Sequence, residues 1–200
     1  MQRIGITGVS STGKSTLASL ISNEINLSLI SDVEVHERSW NKLTEWGKHP
    51  DTRYFPHLTP EEHINFERAV GLSFLELVEE KGDFVSDESP LDFLNYFYLI
   101  CSKHSDDLIP SDELHLMIDA MWKCLQTYDI IFYLPFGKIE VVDDKRRFTN
   151  KHLLQSWEYS LQGLLLDAIN RGVKIHPLHA DTPETRLEDI REYIGSTNIS

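Results

Sequence analysis

Cysteine is scarce in this chain of 200 residues: the two that occur, Cys101 and Cys124, lie on different predicted helices and lack metal-ligand spacing. That argues against a disulfide framework or a cysteine-based zinc site, and two reduced structural thiols are expected. Positive charge is also in short supply, with 19 Lys and Arg against 32 Asp and Glu and a formal net charge of -13. A groove that tracks a polyanion normally carries an excess of Lys and Arg, so a long nucleic acid such as DNA is disfavoured as a partner. No apolar run approaches the roughly 18 residues of a membrane-spanning helix, and the N-terminus leads directly into a strand-like segment with nothing resembling a signal peptide. A cytoplasmic protein is therefore expected. Repeats and low-complexity tracts are absent as well, and 40% hydrophobic residues over this length suffice for a single domain, residues 1–200, with its own core.

What is present starts with Gly8-Val9-Ser10-Ser11-Thr12-Gly13-Lys14-Ser15, which fits the phosphate-loop pattern G-x-x-x-x-G-K-[ST]. Arg3 to Thr7 reads as a short buried strand before it. After it, from Ser15 to Asn26, Leu17, Leu20, Ile21 and Ile25 have the spacing of an amphipathic helix. Strand, glycine-rich turn and helix thus stand in the order the chemistry needs. Gly8 and Gly13 let the backbone curl around an anion, with successive N–H groups aimed inward at the positive end of the helix. This assigns Gly8, Ser10, Ser11, Thr12, Gly13, Lys14, Ser15 and Thr16 to the phosphates of a nucleotide. Lys14, read as an exposed side chain, would reach the terminal phosphates, and the Ser15 hydroxyl would ligate Mg2+.

Short apolar runs alternate with longer amphipathic ones along the rest of the chain, the signature of an α/β fold with a parallel sheet and crossover helices. Strands are expected at 27–31, 84–86, 129–134 and 173–178. Helices are expected from about Val33, then over 60–81, 90–101, 111–127, 149–170 and 183–194. Thr59-Pro60-Glu61-Glu62 marks one helix start, with Thr59 as cap and Glu62 reaching back.

Open parallel sheets bind ligands beyond the carboxyl ends of their strands, which singles out the residues that follow each strand. Asp87 ends the third strand where an acid would hold Mg2+, with Glu88 beside it. After the second strand, Asp32 and Glu34 compete to orient an acceptor hydroxyl. Arg146 and Arg147, in Asp143-Asp144-Lys145-Arg146-Arg147, suit a lid over a transferring phosphate. Thr182 and Pro183, after the fifth strand, are assigned to the nucleotide. Trp40, Trp46, Tyr54, Phe55 and Phe66 concentrate where a flat ligand could stack, although Phe66 and at least one tryptophan read as core. Arg38, Arg53 and Arg68 are equally plausible as contacts to an anionic substrate and as surface pairs. The nine histidines, His176 and His179 included, show no zinc spacing.

In order and approximate spacing, the glycine loop, the acidic position after strand two, Asp87 and Val142-Asp143-Asp144-Lys145-Arg146-Arg147 resemble the segments of one family. It comprises P-loop kinases of an AAA-type ATP-binding branch related to the ribosylnicotinamide (nicotinamide riboside) kinase domain of bifunctional NAD-biosynthesis regulators. The resemblance implies a three-layer P-loop NTPase fold with strand order 2-3-1-4-5, a helical insertion at about 33–82 and a lid at about 135–149. It also implies ATP and Mg2+ as cofactors and a nucleoside, nucleotide or similar small hydroxyl acceptor. Two departures fall in the acceptor half: Glu34 is followed by Glu37 and Arg38 where relatives commonly show Glu-x-x-Arg, and Asp87-Glu88 replaces the Asp-Arg of many small-molecule kinases. Phage kinases that act on hydroxymethylated bases in DNA share the architecture, and a P-loop ATPase or switch without a small acceptor is the reading from a different class.

Overall fold

The computed structural model of the protein describes residues 2–50, 58–101, 111–138 and 150–197. In chain order the elements are β1 (Arg3–Thr7), α1 (Lys14–Ile25), β2 (Ser28–Ile30), α2 (Asp32–Glu45), α3 (Pro60–Lys81) and β3 (Phe84–Ser86). They continue with α4 (Pro90–Cys101), α5 (Ser111–Leu125), β4 (Ile130–Tyr133), α6 (Lys151–Asn170), β5 (Ile175–Pro177) and α7 (Pro183–Thr197). All strand pairings are parallel and the sheet order is β2-β3-β1-β4-β5. The order inferred from the family resemblance and the parallel sheet inferred from patterning are both observed.

Alternation along the strands divides the core into two layers. Ile4, Ile6, Val85, Ile130 and Phe132 face α1 and α7, packing with Leu17, Ile21, Leu178 and Ile190. Ile30, Phe84, Ile131 and Tyr133 face the other way, into a larger cluster built with α2 to α6. The central strands β1, β3 and β4 are buried on both faces, which is why these segments read as near-continuous apolar runs, whereas the edge strands β2 and β5 are partly exposed. The helical pair α2 and α3 is pinned by Trp40 against Phe66, ring centroids 4.3 Å apart. Both rings are core, whereas Trp46 is exposed; Arg53, Tyr54 and Phe55 lie outside the described residues.

Helix starts follow local chemistry. Thr59 and Glu62 form the reciprocal capping box at α3, with Pro60 at the first turn. β1 and β3 have the expected bounds, whereas β2, β4 and β5 are shorter than the runs that suggested them. At β5, the Val173 N–H closes the end of α6 by donating to the Ala168 carbonyl at 3.0 Å, so Val173 belongs to the turn. Cys124 is a buried free thiol, its pKa pushed up to about 12 chiefly by burial, as an inert structural cysteine requires. No helix among the described residues is long and apolar enough to cross a membrane.

Candidate active site

β1 lies at the centre of the sheet, between β3 and β4, so the chain leaving its carboxyl end enters the crevice where the strand order switches direction. The loop from Gly8 to Gly13 occupies that point. Gly8 has φ +154°, and a Cβ there would stand 2.6 Å from the Leu134 carbonyl oxygen and 2.9 Å from the Thr12 hydroxyl, so glycine is required by space as well as by conformation. Ser11 and Gly13 also take positive φ, 66° and 89°, which turns successive peptide N–H groups toward one concavity. Thr12 closes the loop from within, its hydroxyl donating to the Val9 carbonyl at 2.9 Å. Gly13 caps α1, whose first residue is Lys14.

Lys14 is not the exposed side chain expected from its position: it is 8% exposed and folds back to donate to the Gly8 carbonyl. Its ammonium stands 3.8 Å from both Glu88 and Asp92. A charged group that leaves water needs such partners, and these supply them. Burial pulls the lysine pKa down, but Asp92, Glu88, Asp32 and Asp87 together pull harder, and the net shift is upward. Asp87, 3% exposed, accepts from the backbone N–H of Asp32 at 2.7 Å. Burial and then the charge of Asp32 push its carboxyl up to about 6, against the opposing pull of the Ser15 hydroxyl, the Asp32 N–H and Lys14. Glu88 lies well above the ordinary carboxylate range, first through burial and then through Asp32.

The structure therefore gathers Lys14, Ser15, Asp32 and Asp87 at one place. The Ser15 hydroxyl and the Asp87 carboxylate are hydrogen-bonded hard oxygen donors at the mouth of the loop, a set that fits Mg2+. Glu34 is turned elsewhere: its carboxylate pairs with Lys81 at 2.6 Å and Arg38 at 3.6 Å. Arg38 is itself held by Glu80 and Arg68 by Glu113, so both take the surface-pair role. Thr182 and Pro183 form the start of α7, where the Thr182 hydroxyl accepts from the Thr185 N–H at 3.3 Å. Arg146 and Arg147 lie outside the described residues. His176 packs against Phe132 and Tyr193 rather than joining a ligand set, and no group of His, Cys, Asp and Glu among the described residues has metal-site geometry.

Three participants escaped the sequence reading. Asp92, 2% exposed, accepts from the Thr7 hydroxyl at 2.8 Å, the Gly8 N–H at 3.1 Å and the Ser89 N–H at 2.7 Å, tying β1, the phosphate loop and α4 together. A signal existed in Ser89-Pro90-Leu91-Asp92, the spacing of a capping box. Glu67, on α3, has its carboxyl pushed up to about 8 by burial and then by Asp32. Arg186, on α7, is buried and donates to the Thr12 carbonyl at 2.7 Å and the Ala180 carbonyl at 2.8 Å; an arginine in a polar helix carries no sequence signal for that role.

No protein-family model matches this sequence, and no curated protein matches it. Solved structures do match in fold. A deoxyadenosine kinase of M. mycoides, with dCMP and dCDP bound, superposes with a TM-score of 0.67 at 14% identity, covering 98% of this chain and 99% of that one. A thymidylate kinase of Candida albicans gives 0.63 at 16% identity over 98% and 92% of the two chains. The NadR protein, solved with NAD and AMP-PNP, gives 0.61 at 16% identity over 97% of this chain, which spans 49% of NadR. At such identities the likeness is one of architecture: this chain has the three-layer P-loop fold that nucleoside and nucleotide kinases share.

Proposed function

We propose that this chain is an ATP-dependent kinase that transfers the γ-phosphoryl group to a hydroxyl of a nucleoside, nucleotide or similar small metabolite. The observation that carries this reading is Lys14, buried at the junction of the phosphate loop with carboxylates from α2, the β3 exit and α4. An ammonium held there between acids has a pre-formed path to a terminal phosphate, and a phosphate arriving in the loop replaces the Gly8 carbonyl as its partner. The loop N–H groups and Lys14 then face the charge that develops during transfer, in a water-poor crevice where such interactions count most. Ser15 and Asp87 would hold Mg2+, which supplies further charge neutralisation when bound. Asp32, free of the pairing that occupies Glu34, orients the acceptor hydroxyl and receives its hydrogen bond. Arg146 and Arg147 are assigned on sequence to closure over the phosphate.

Within this reading, the NadR likeness and the Val142-to-Arg147 segment support a ribosylnicotinamide-kinase-like chain as the finer assignment. The test is a screen of nucleosides, mononucleotides and DNA bearing hydroxymethylated bases with γ-labelled ATP. Label on a small acceptor supports the reading. Hydrolysis at full rate without any labelled acceptor product replaces it with an ATPase or switch.

A further inference from the structure

We infer that the outward face of α6 is the interface of a homodimer, in which two copies of that helix pack antiparallel about a two-fold axis between Gln162 and Gly163. This does not rest on the kinase reading. On its inner side α6 buries Leu154, Trp157, Leu161, Leu165 and Ala168 against the domain. Its other side carries a second apolar stripe, in which Tyr159, Leu166 and Ile169 are 65%, 61% and 52% exposed. A helix that only covered its own core would be polar there. Charge is missing from the same face. Between Lys151 and Asp167 the one charged residue is Glu158, which is buried and accepts from the Tyr133 hydroxyl and from Gln162. The charges at the rim are already matched: Arg171 pairs with Asp167 at 3.3 Å and lies 4.2 Å from the centre of the Trp122 ring.

The stripe fits a second copy of this chain because it reads alike in both directions. About the stated axis, Tyr159 meets Leu166 of the partner subunit, Ser156 meets Ile169 of the partner subunit and Gln155 meets Asn170 of the partner subunit. Bulky side chains thus face each other beside the axis, and uncharged polar groups close the two ends, the self-complementarity that an isologous interface needs. Gly163 permits the close approach. Glycine is a poor former of helix interiors, yet a Cβ at 163 would meet nothing within 4 Å, so packing among the described residues does not require it. A net charge of -13 holds two copies apart wherever their surfaces are charged, and on this face they meet without opposing carboxylates. A membrane is a poorer match, since no Lys or Arg stands within the stripe to meet anionic lipid.

The experiment is sedimentation of the full chain. One helix pair makes an interface at the small end of the specific range, so the parent is expected to be a reversible dimer at about 100 µM and to dissociate on dilution. Tyr159→Lys and Leu166→Glu each weaken association by at least about tenfold, because each buries an unpaired charge against an apolar partner. Both positions are exposed in the single chain, so neither change touches the core. An equimolar mixture of the two variants recovers the dimer, since the new lysine then faces the new glutamate while Tyr159 and Leu166 meet across the other half. A parent that stays monomeric at that concentration overturns the inference and leaves the face to another partner. A dimer that neither variant weakens, or a mixture that stays monomeric, overturns the antiparallel α6 interface.

Discussion

Lys14 is a buried counter-ion before it is a phosphate ligand, and this changes what its removal does. Because its folded-state pKa is raised, the stability it contributes is fully present below the ordinary lysine value and is lost only as pH climbs through the folded value. Asp87 has the opposite sign. Its folded pKa of about 6 exceeds that of a free aspartate, so the cost of burying its charge is absent below about pH 4 and complete above about pH 6. In metal-free protein, Asp87→Asn is expected to stabilise the fold at pH 8 by on the order of 2 kcal/mol, the gain shrinking toward zero as the pH falls to 4. Urea unfolding of parent and variant across that range measures it, and a gap that stays constant with pH would contradict the assignment. The same variant should show a weakened Mg2+ dependence of transfer. Asp87 was legible in the sequence because a strand-end acid is a local pattern. Asp92 was legible only in its local half: its cap to Ser89 spans three residues, whereas its bonds to Thr7 and Gly8 span 85 and 84. The pairing of Glu34 with Lys81 was not legible, since Lys81 lies 47 residues from Glu34 in the chain.

At the scale of elements, α7 holds the phosphate loop through Arg186 and the far end of α1 through Arg191, with different consequences. Arg186 joins the Thr12 carbonyl of the phosphate loop to the Ala180 carbonyl of the segment leading into α7, the two regions assigned to the nucleotide. Arg191 pairs with Glu24 on the exposed side, at the other end of α1. Surface pairs contribute little, whereas removing a buried donor leaves two carbonyls unsatisfied beside the loop. Arg186→Met should therefore raise the KM for ATP by about tenfold or more while leaving the KM for the acceptor within about twofold. Arg191→Ala should change neither. Steady-state kinetics on both substrates decide it, and an equal rise in both constants for Arg186→Met would show loosening of the whole domain instead. Helix starts were the most legible feature of the elements: Thr59 and Glu62 specify where α3 begins. Strand ends were less so, because backbone groups at 173 serve the preceding turn and an apolar residue does not reveal which partner its N–H takes.

For the molecule as a whole, alternating apolar and amphipathic runs sufficed for a parallel α/β sheet, and its strand order followed from the family resemblance rather than from the pattern. What the pattern could not convey is how unevenly the charge of -13 is distributed. Much of it is solvated, yet Asp32, Asp87, Glu88 and Asp92 all act on the buried Lys14 from segments far apart in the chain. That convergence arises because α2, the β3 exit and α4 all begin at the carboxyl edge of the sheet, where the phosphate loop also sits. In the proposed mechanism the central cation is the group that meets the transferring phosphate. The most direct measurement is γ-phosphoryl transfer by Lys14→Ala, under conditions where circular dichroism shows the variant folded, since loss of the buried counter-ion itself costs roughly 3–5 kcal/mol of stability. Transfer is predicted to fall by at least about a hundredfold, with the secondary structure retained. Undiminished turnover in the folded variant would contradict the account.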